Sequence, residues 1–193
     1  MDIINRAKQI LISPKTEWPI IDNENDPNMV VLTKYVLLLA AIPAVAIFIG
    51  DGLIGYSVLG FHVGSISIGF RQAINQYIAM VGGVYITAFV IDLLAPNFGS
   101  QKNFDKAFSL VAYAYTPVFV GGIFYIFHPL GILASLASLY SLYLLYVGLV
   151  PMMKTPDEKR TSYFVVSLLV MMVAFIVLSK ILTVIFIGRG FWL

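Results

Sequence analysis

Two ionisable residues stand inside long apolar runs: Asp92 in YITAFVIDLLAP and Lys180 in AFIVLSKILTVIF. Charge at membrane depth is costly unless paired or watered, so both are functional candidates by default. Asp92 lies four residues before Pro96, roughly one helical turn below a membrane boundary. There it could take up a proton or cation, or simply reach interfacial water and the cations Lys102 and Lys106. Lys180 lies about 17 residues into the last run, roughly 10 Å from its far end, and its stem is long enough to snorkel. The threading separates the two in depth by roughly 15 Å, so no direct salt bridge between them is expected.

Catalytic chemistry finds little support. His62 and His128 are the two histidines, both in expected loops and without metal-ligand spacing, and cysteine is absent. There is no phosphate-cradling glycine loop, nucleophile elbow or pair of intramembrane carboxylates. A non-enzymatic protein with no catalytic residues, metal or cofactor is expected.

Helix breakers and small residues carry the remaining signals. Pro117 in AYAYTPVFVGG frees the carbonyl of Tyr113, and Pro43 frees that of Leu39. Tyr115 and Thr116 stand beside the first break and can satisfy the exposed groups. Broken spans occur as plain kinks or around a binding cavity. Ala134, Ala137, Ser138 and Ser141 give small-residue spacings for close helix approach, within the bundle or in a homodimer.

These residues must be positioned by membrane-spanning helices. Of 193 residues, 60% are hydrophobic and only 11% charged, with a mean hydropathy of +0.90. A soluble domain is excluded on that balance. Between Ala107 and Met153 there is no Asp, Glu, Lys or Arg; as helix this stretch is about 70 Å long, enough for two crossings. Runs of about 20 apolar residues predict an all-α polytopic five-helix bundle, with spans near 29–49, 76–95, 108–127, 130–150 and 163–187. Residues 51–75, rich in Gly and Ser, read as a compact loop or hairpin. Arg6, Lys8, Lys15, Lys34, Lys102, Lys106, Lys154, Lys159 and Arg160 fall on one side, against Arg71 and Arg189 on the other. The positive-inside rule then predicts a cytoplasmic N-terminus and an outside C-terminus in the inner membrane. A net charge of +2 gives no basic face for nucleic acid; membrane lipid is the expected surrounding.

Residues 1–28 form a separate polar segment with five acidic residues, unlike a basic signal peptide, and are expected to stay in the mature chain. Within it Ile3, Ile4, Ala7, Ile10 and Leu11 share one helical face. The helix either lies on the membrane surface and recruits a partner or packs on the protein's own spans. Trp18 suits the headgroup boundary and is a candidate docking residue.

Three stretches, ILISPKTEWPII, SLVAYAYTPVFVGGIF and SLYLLYVGLVPMMKTPDEKR, resemble the Yip family of Ypt/Rab-interacting membrane proteins in their short bacterial inner-membrane form. The resemblance covers essentially the whole chain and implies five spans with an N-in, C-out arrangement. It makes Tyr113, Tyr115 and Pro117, together with Lys154, Thr155 and Pro156, the positional candidates for fold or function. Eukaryotic members bind prenylated small GTPases through a tail bearing a D-L-Y-G-P motif. That motif is missing, so the binding is carried over to no residue here. Two functions follow: a membrane scaffold or adaptor docking a membrane or cytoplasmic protein through Trp18, Lys154, Thr155 and Pro156, or a small transporter or lipid-handling protein. The second would use a cavity at the proline-broken first and third spans, with Asp92 as its gate.

Overall fold

The computed structural model describes residues 2–58 and 61–187, and the side chains of residues 2–55 and 64–177. Two tail helices, α1 (Ile3–Ile12) and α2 (Pro14–Glu24), precede five helices long and apolar enough to cross a membrane. These are span 1 (Asn28–Ile54), span 2 (Ile66–Phe98), span 3 (Phe104–Ile126), span 4 (His128–Met153) and span 5 (Asp157–Val177, its helix running on to Ile187). The chain is an all-α polytopic membrane protein.

Residues 51–75 are less of a loop than their composition suggests. Span 1 continues to Ile54 and span 2 starts at Ile66, ten residues before Gln76. Only a small antiparallel hairpin, β1 (Tyr56–Val58) and β2 (Phe61–Val63), joins them. Span 2 starts early because Ser65 caps it, its Oγ accepting from the Ile68 N–H at 3.3 Å. The polar residues Arg71, Gln72, Asn75 and Gln76 do not stop a helix that is already nucleated.

Span 3 is the hub: every residue from Ala107 to Ala114 is buried. Glycines set how closely its neighbours approach, as expected where lipid offers no hydrophobic drive and van der Waals packing must hold helices together. A Cβ at Gly121 would lie 2.5 Å from the Ala137 Cβ of span 4, and one at Gly122 would lie 3.0 Å from the Pro43 Cα of span 1. The kinks of spans 1 and 3 therefore close on each other. Gly122→Val is expected to cost about 1–3 kcal/mol by overpacking, read as a lower unfolding midpoint in detergent. An unchanged midpoint would mean that spans 1 and 3 do not meet at this point.

Tyrosine hydroxyls tie the spans together across the bundle. Tyr77 donates to the Leu37 carbonyl at 3.1 Å, Tyr163 donates to the Ile91 carbonyl, and Tyr115 pairs with Thr87 at 3.2 Å. Each satisfies a polar group that lipid cannot.

Candidate functional site

The tail does not stand off the bundle. Asp2 caps α1, its Oδ1 accepting from the Ile4 N–H at 3.1 Å, and Ser13 leads into Pro14 at the first position of α2. The resulting helical hairpin turns Ile10, Trp18 and Ile21 into the same hydrophobic core as spans 1 to 5. The packed face is that of a helix on its own spans. Tyr140 donates to the Leu11 carbonyl at 2.7 Å; it lies 13 residues before Met153, about 20 Å along the helix. The tail thus reaches well down span 4.

Trp18, read from the sequence as a boundary residue, is fully buried. Its indole fills a socket made by the missing side chain of Gly148 and by Leu110, where a Cβ on Gly148 would lie 2.7 and 2.9 Å from the ring. Around the same hairpin, Arg6 pairs with both Glu17 and Glu24 and lies 5.8 Å over the Tyr113 ring. Burial alone would lower the Arg6 pKa, but the two carboxylates outweigh it and raise it. Arg6, Glu17 and Glu24 are the members of the site that sequence reading missed. The signal was present, since Arg6 falls beside the apolar face of α1 and the Ser13-Pro14 break allows α2 to fold back.

Tyr113 packs against Tyr35 beneath this cluster, ring centroids 4.7 Å apart and the rings tilted by 59°. The carbonyl that Pro117 frees on Tyr113 accepts from Thr116 Oγ1 at 2.6 Å, and Thr116 in turn meets the Tyr35 hydroxyl at 2.6 Å. With its one proton given to Tyr113, the Thr116 hydroxyl must accept from Tyr35. The span 3 break is thereby closed by hydrogen bonds beneath the tail.

At the rim, Asp22 is clasped by Lys106, at 2.9 Å, and by Lys154. Lys154 takes a left-handed backbone, φ 53°, at the end of span 4, and also donates to the Pro151 carbonyl at 2.9 Å. Thr155 is buried: its hydroxyl donates to the Leu149 carbonyl at 3.0 Å and accepts from Ser100 at 2.9 Å. Pro156 then leads into span 5, its carbonyl accepting from the Lys159 N–H. The Gln101 N–H to Met153 carbonyl bond, 2.8 Å, completes the joint.

Burial raises the Asp22 pKa, yet the hydrogen bonds from Lys154 and Lys106 overcome it and hold the carboxyl below its ordinary 3.8. A depressed folded-state pKa contributes stability that is present above the ordinary value and lost as pH falls through the folded one. The clasp is therefore expected to hold at neutral pH and to loosen below about pH 4. In a Trp192→Phe background, Trp18 emission should shift red over that range, and Asp22→Asn should remove the transition. A transition that survives in Asp22→Asn would assign it to another group.

Asp92 lies apart from this cluster. It is buried between spans 2 and 5, beside Ile91, which Tyr163 bonds, and its Oδ1 has no hydrogen-bond partner among the described residues. The side chain of Lys180 and its relation to Asp92 lie outside the described residues, as does the side chain of His62. His128 meets Asp51 at 3.2 Å at the hairpin end of the bundle, a pairing that no sequence motif announces. Among the described residues no group of three His, Cys, Asp or Glu could hold a metal ion. The site thus brings together Trp18, Tyr113, Lys154 and Thr155, with Arg6 and its two glutamates, and leaves Asp92 elsewhere.

Five spans capped by an inward-folded tail hairpin define a small polytopic membrane protein. Residues 8–178 match the Yip1 domain, and the chain belongs to that family. The inner membrane protein YohC of Escherichia coli, in two strains, is 30% identical over 112 residues. The match covers 57% of this chain and 57% of YohC, so it spans little more than half the length of these curated relatives. No solved structure matches the chain.

Proposed function

We propose that this protein is a non-enzymatic scaffold or adaptor of an inner membrane, with its tail end in the cytoplasm and its C-terminus outside. The charge bias along the chain supports that orientation, as does the similarity to an inner membrane protein. One observation carries the scaffold reading: the tail, the 99–103 connection and the 154–156 turn are fastened into one surface by the Asp22–Lys106–Lys154 clasp and the Ser100–Thr155 bond. A docking surface fixed before binding loses less entropy when a partner arrives. Lys102, in the 99–103 connection, and Lys159, just past the 154–156 turn, are exposed beside it.

The test is photo-crosslinking in cells from a benzophenone side chain placed at Lys102 or at Lys159. The expected result is one discrete protein adduct from both positions, weakened by Asp22→Ala. Adducts to the chain itself would make the surface a homodimer contact; lipid adducts alone would overturn the reading. The Oδ1 of Asp92, buried without a hydrogen-bond partner among the described residues, favours a second reading, a proton- or cation-sensitive step in a small transporter or lipid-handling protein. Asp92→Asn should then abolish flux or ligand response at unchanged expression; unaltered behaviour removes Asp92 from the mechanism.

A further inference from the structure

Span 1 is flanked by two apolar grooves. One, of about 420 Å³, runs between spans 1 and 2 along Ala44, Phe48, Phe70, Ala73, Ile74 and Tyr77. The other, of about 340 Å³, lies between spans 1 and 3 along Ile42, Ala46, Ile49, Ile123 and Ile126. Val45 lines both and is 55% exposed, forming the ridge between them. The recesses exist because Ala44, Ala46 and Ala73 are short beside Phe48, Phe70 and the isoleucines. The one phenol present is turned to backbone, Tyr77 donating to the Leu37 carbonyl at 3.1 Å.

The charges at the hairpin end are arranged unequally. Arg71 follows the groove residue Phe70 and is exposed, with no ion pair among the described residues. Asp51, the nearby acid of span 1, is largely buried and engaged by His128 at 3.2 Å. An anion arriving from the hairpin side therefore meets an exposed guanidinium, while the carboxylate is withdrawn.

We propose that the two grooves hold the two acyl chains of one anionic phospholipid, straddling Val45, with its phosphate group at Arg71. Two apolar recesses on either side of the Val45 ridge match a two-tailed ligand. Arginine suits a phosphate because its planar fork offers paired donors. The site is independent of the scaffold reading and lies at the opposite end of the bundle from the clasp.

The experiment is native mass spectrometry of the full chain released from nanodiscs of equimolar dioleoyl phosphatidylglycerol and dioleoyl phosphatidylcholine. The wild type should retain one phosphatidylglycerol per chain. Ala73→Trp, which fills the first groove, should lose it. Arg71→Gln should keep a lipid but lose about fivefold in preference for phosphatidylglycerol, the effect of one cation near an anionic surface. Because Arg71 is exposed, this variant tests the site even where Ala73→Trp fails to fold. Equal retention in the wild type and a folded Ala73→Trp, or equal lipid preference in the wild type and Arg71→Gln, would overturn the proposal. So would a dimer that Ala73→Trp dissociates, which would assign the grooves to a second copy.

Discussion

Arg6→Met is expected to destabilise the protein by about 3–5 kcal/mol, the cost of leaving a buried carboxylate without its partner. The size follows from burial. An exposed ion pair contributes about 0–1 kcal/mol because water screens it and holding two long side chains costs entropy. The Arg6 and Glu17 side chains are only 7% and 9% exposed, so their pair belongs to the buried class. Glu24, at 35%, sits at the edge and is partly rescued by solvent. The double change Arg6→Met with Glu17→Leu should recover most of the loss, because the one carboxylate then left without Arg6 is Glu24, which solvent reaches. Unfolding in detergent, followed by circular dichroism for the single and double variants, reads both numbers. A single-variant loss below about 1 kcal/mol would mean that water reaches the pair.

Trp18→Ala should be comparably damaging, at about 3–5 kcal/mol for removing a fully buried indole. The loss should appear first as release of the tail, since Trp18 is the largest side chain α2 commits to the core. Trypsin cutting at Lys15, which is exposed on that tail, should then become up to about tenfold faster for each 1.4 kcal/mol lost, since the tail opens and closes many times before each cut. Gly148→Val should give the same phenotype from the other side of the socket, because its Cβ would approach the Trp18 ring within 2.7 Å. Combining Trp18→Ala with Gly148→Leu should recover part of the stability by refilling the space. Failure of any recovery would indicate that Trp18 acts through something other than this socket.

Much of the fold was legible because lipid imposes simple rules. With no water to satisfy backbone groups, long apolar runs must become helices, and all five appear. Boundaries were less legible than existence. Span 2 starts ten residues before its apolar stretch because Ser65 caps it and hydrophobicity does not mark a helix's polar end. The mending of the Pro117 break by Thr116 could be anticipated, as both groups are neighbours in sequence. The contribution of Tyr35 could not, since it comes from 81 residues away.

The candidate site was less legible still. The apolar face of α1 was plain from spacing, yet such a face is equally suited to lipid and to protein, and only the burial of Ile10 in the core of the spans decides between them. A glycine in an apolar run looks like packing; that it is a socket for Trp18 depends on where a chain 130 residues away is laid. The Arg6–Glu17–Glu24 cluster likewise looks like ordinary tail charge until the hairpin at Ser13-Pro14 folds it inward. The membrane setting, the five long apolar helices, the proline breaks and the family resemblance could be read from residue order alone, because these depend on local composition and near-neighbour chemistry. It took the folded arrangement to show that the tail belongs to the core, that Lys154 and Thr155 face the chain's own Asp22 and Ser100, and that Asp92 lies apart from the tail cluster. Those outcomes rest on contacts between residues far apart in the chain, whose partners no local pattern encodes.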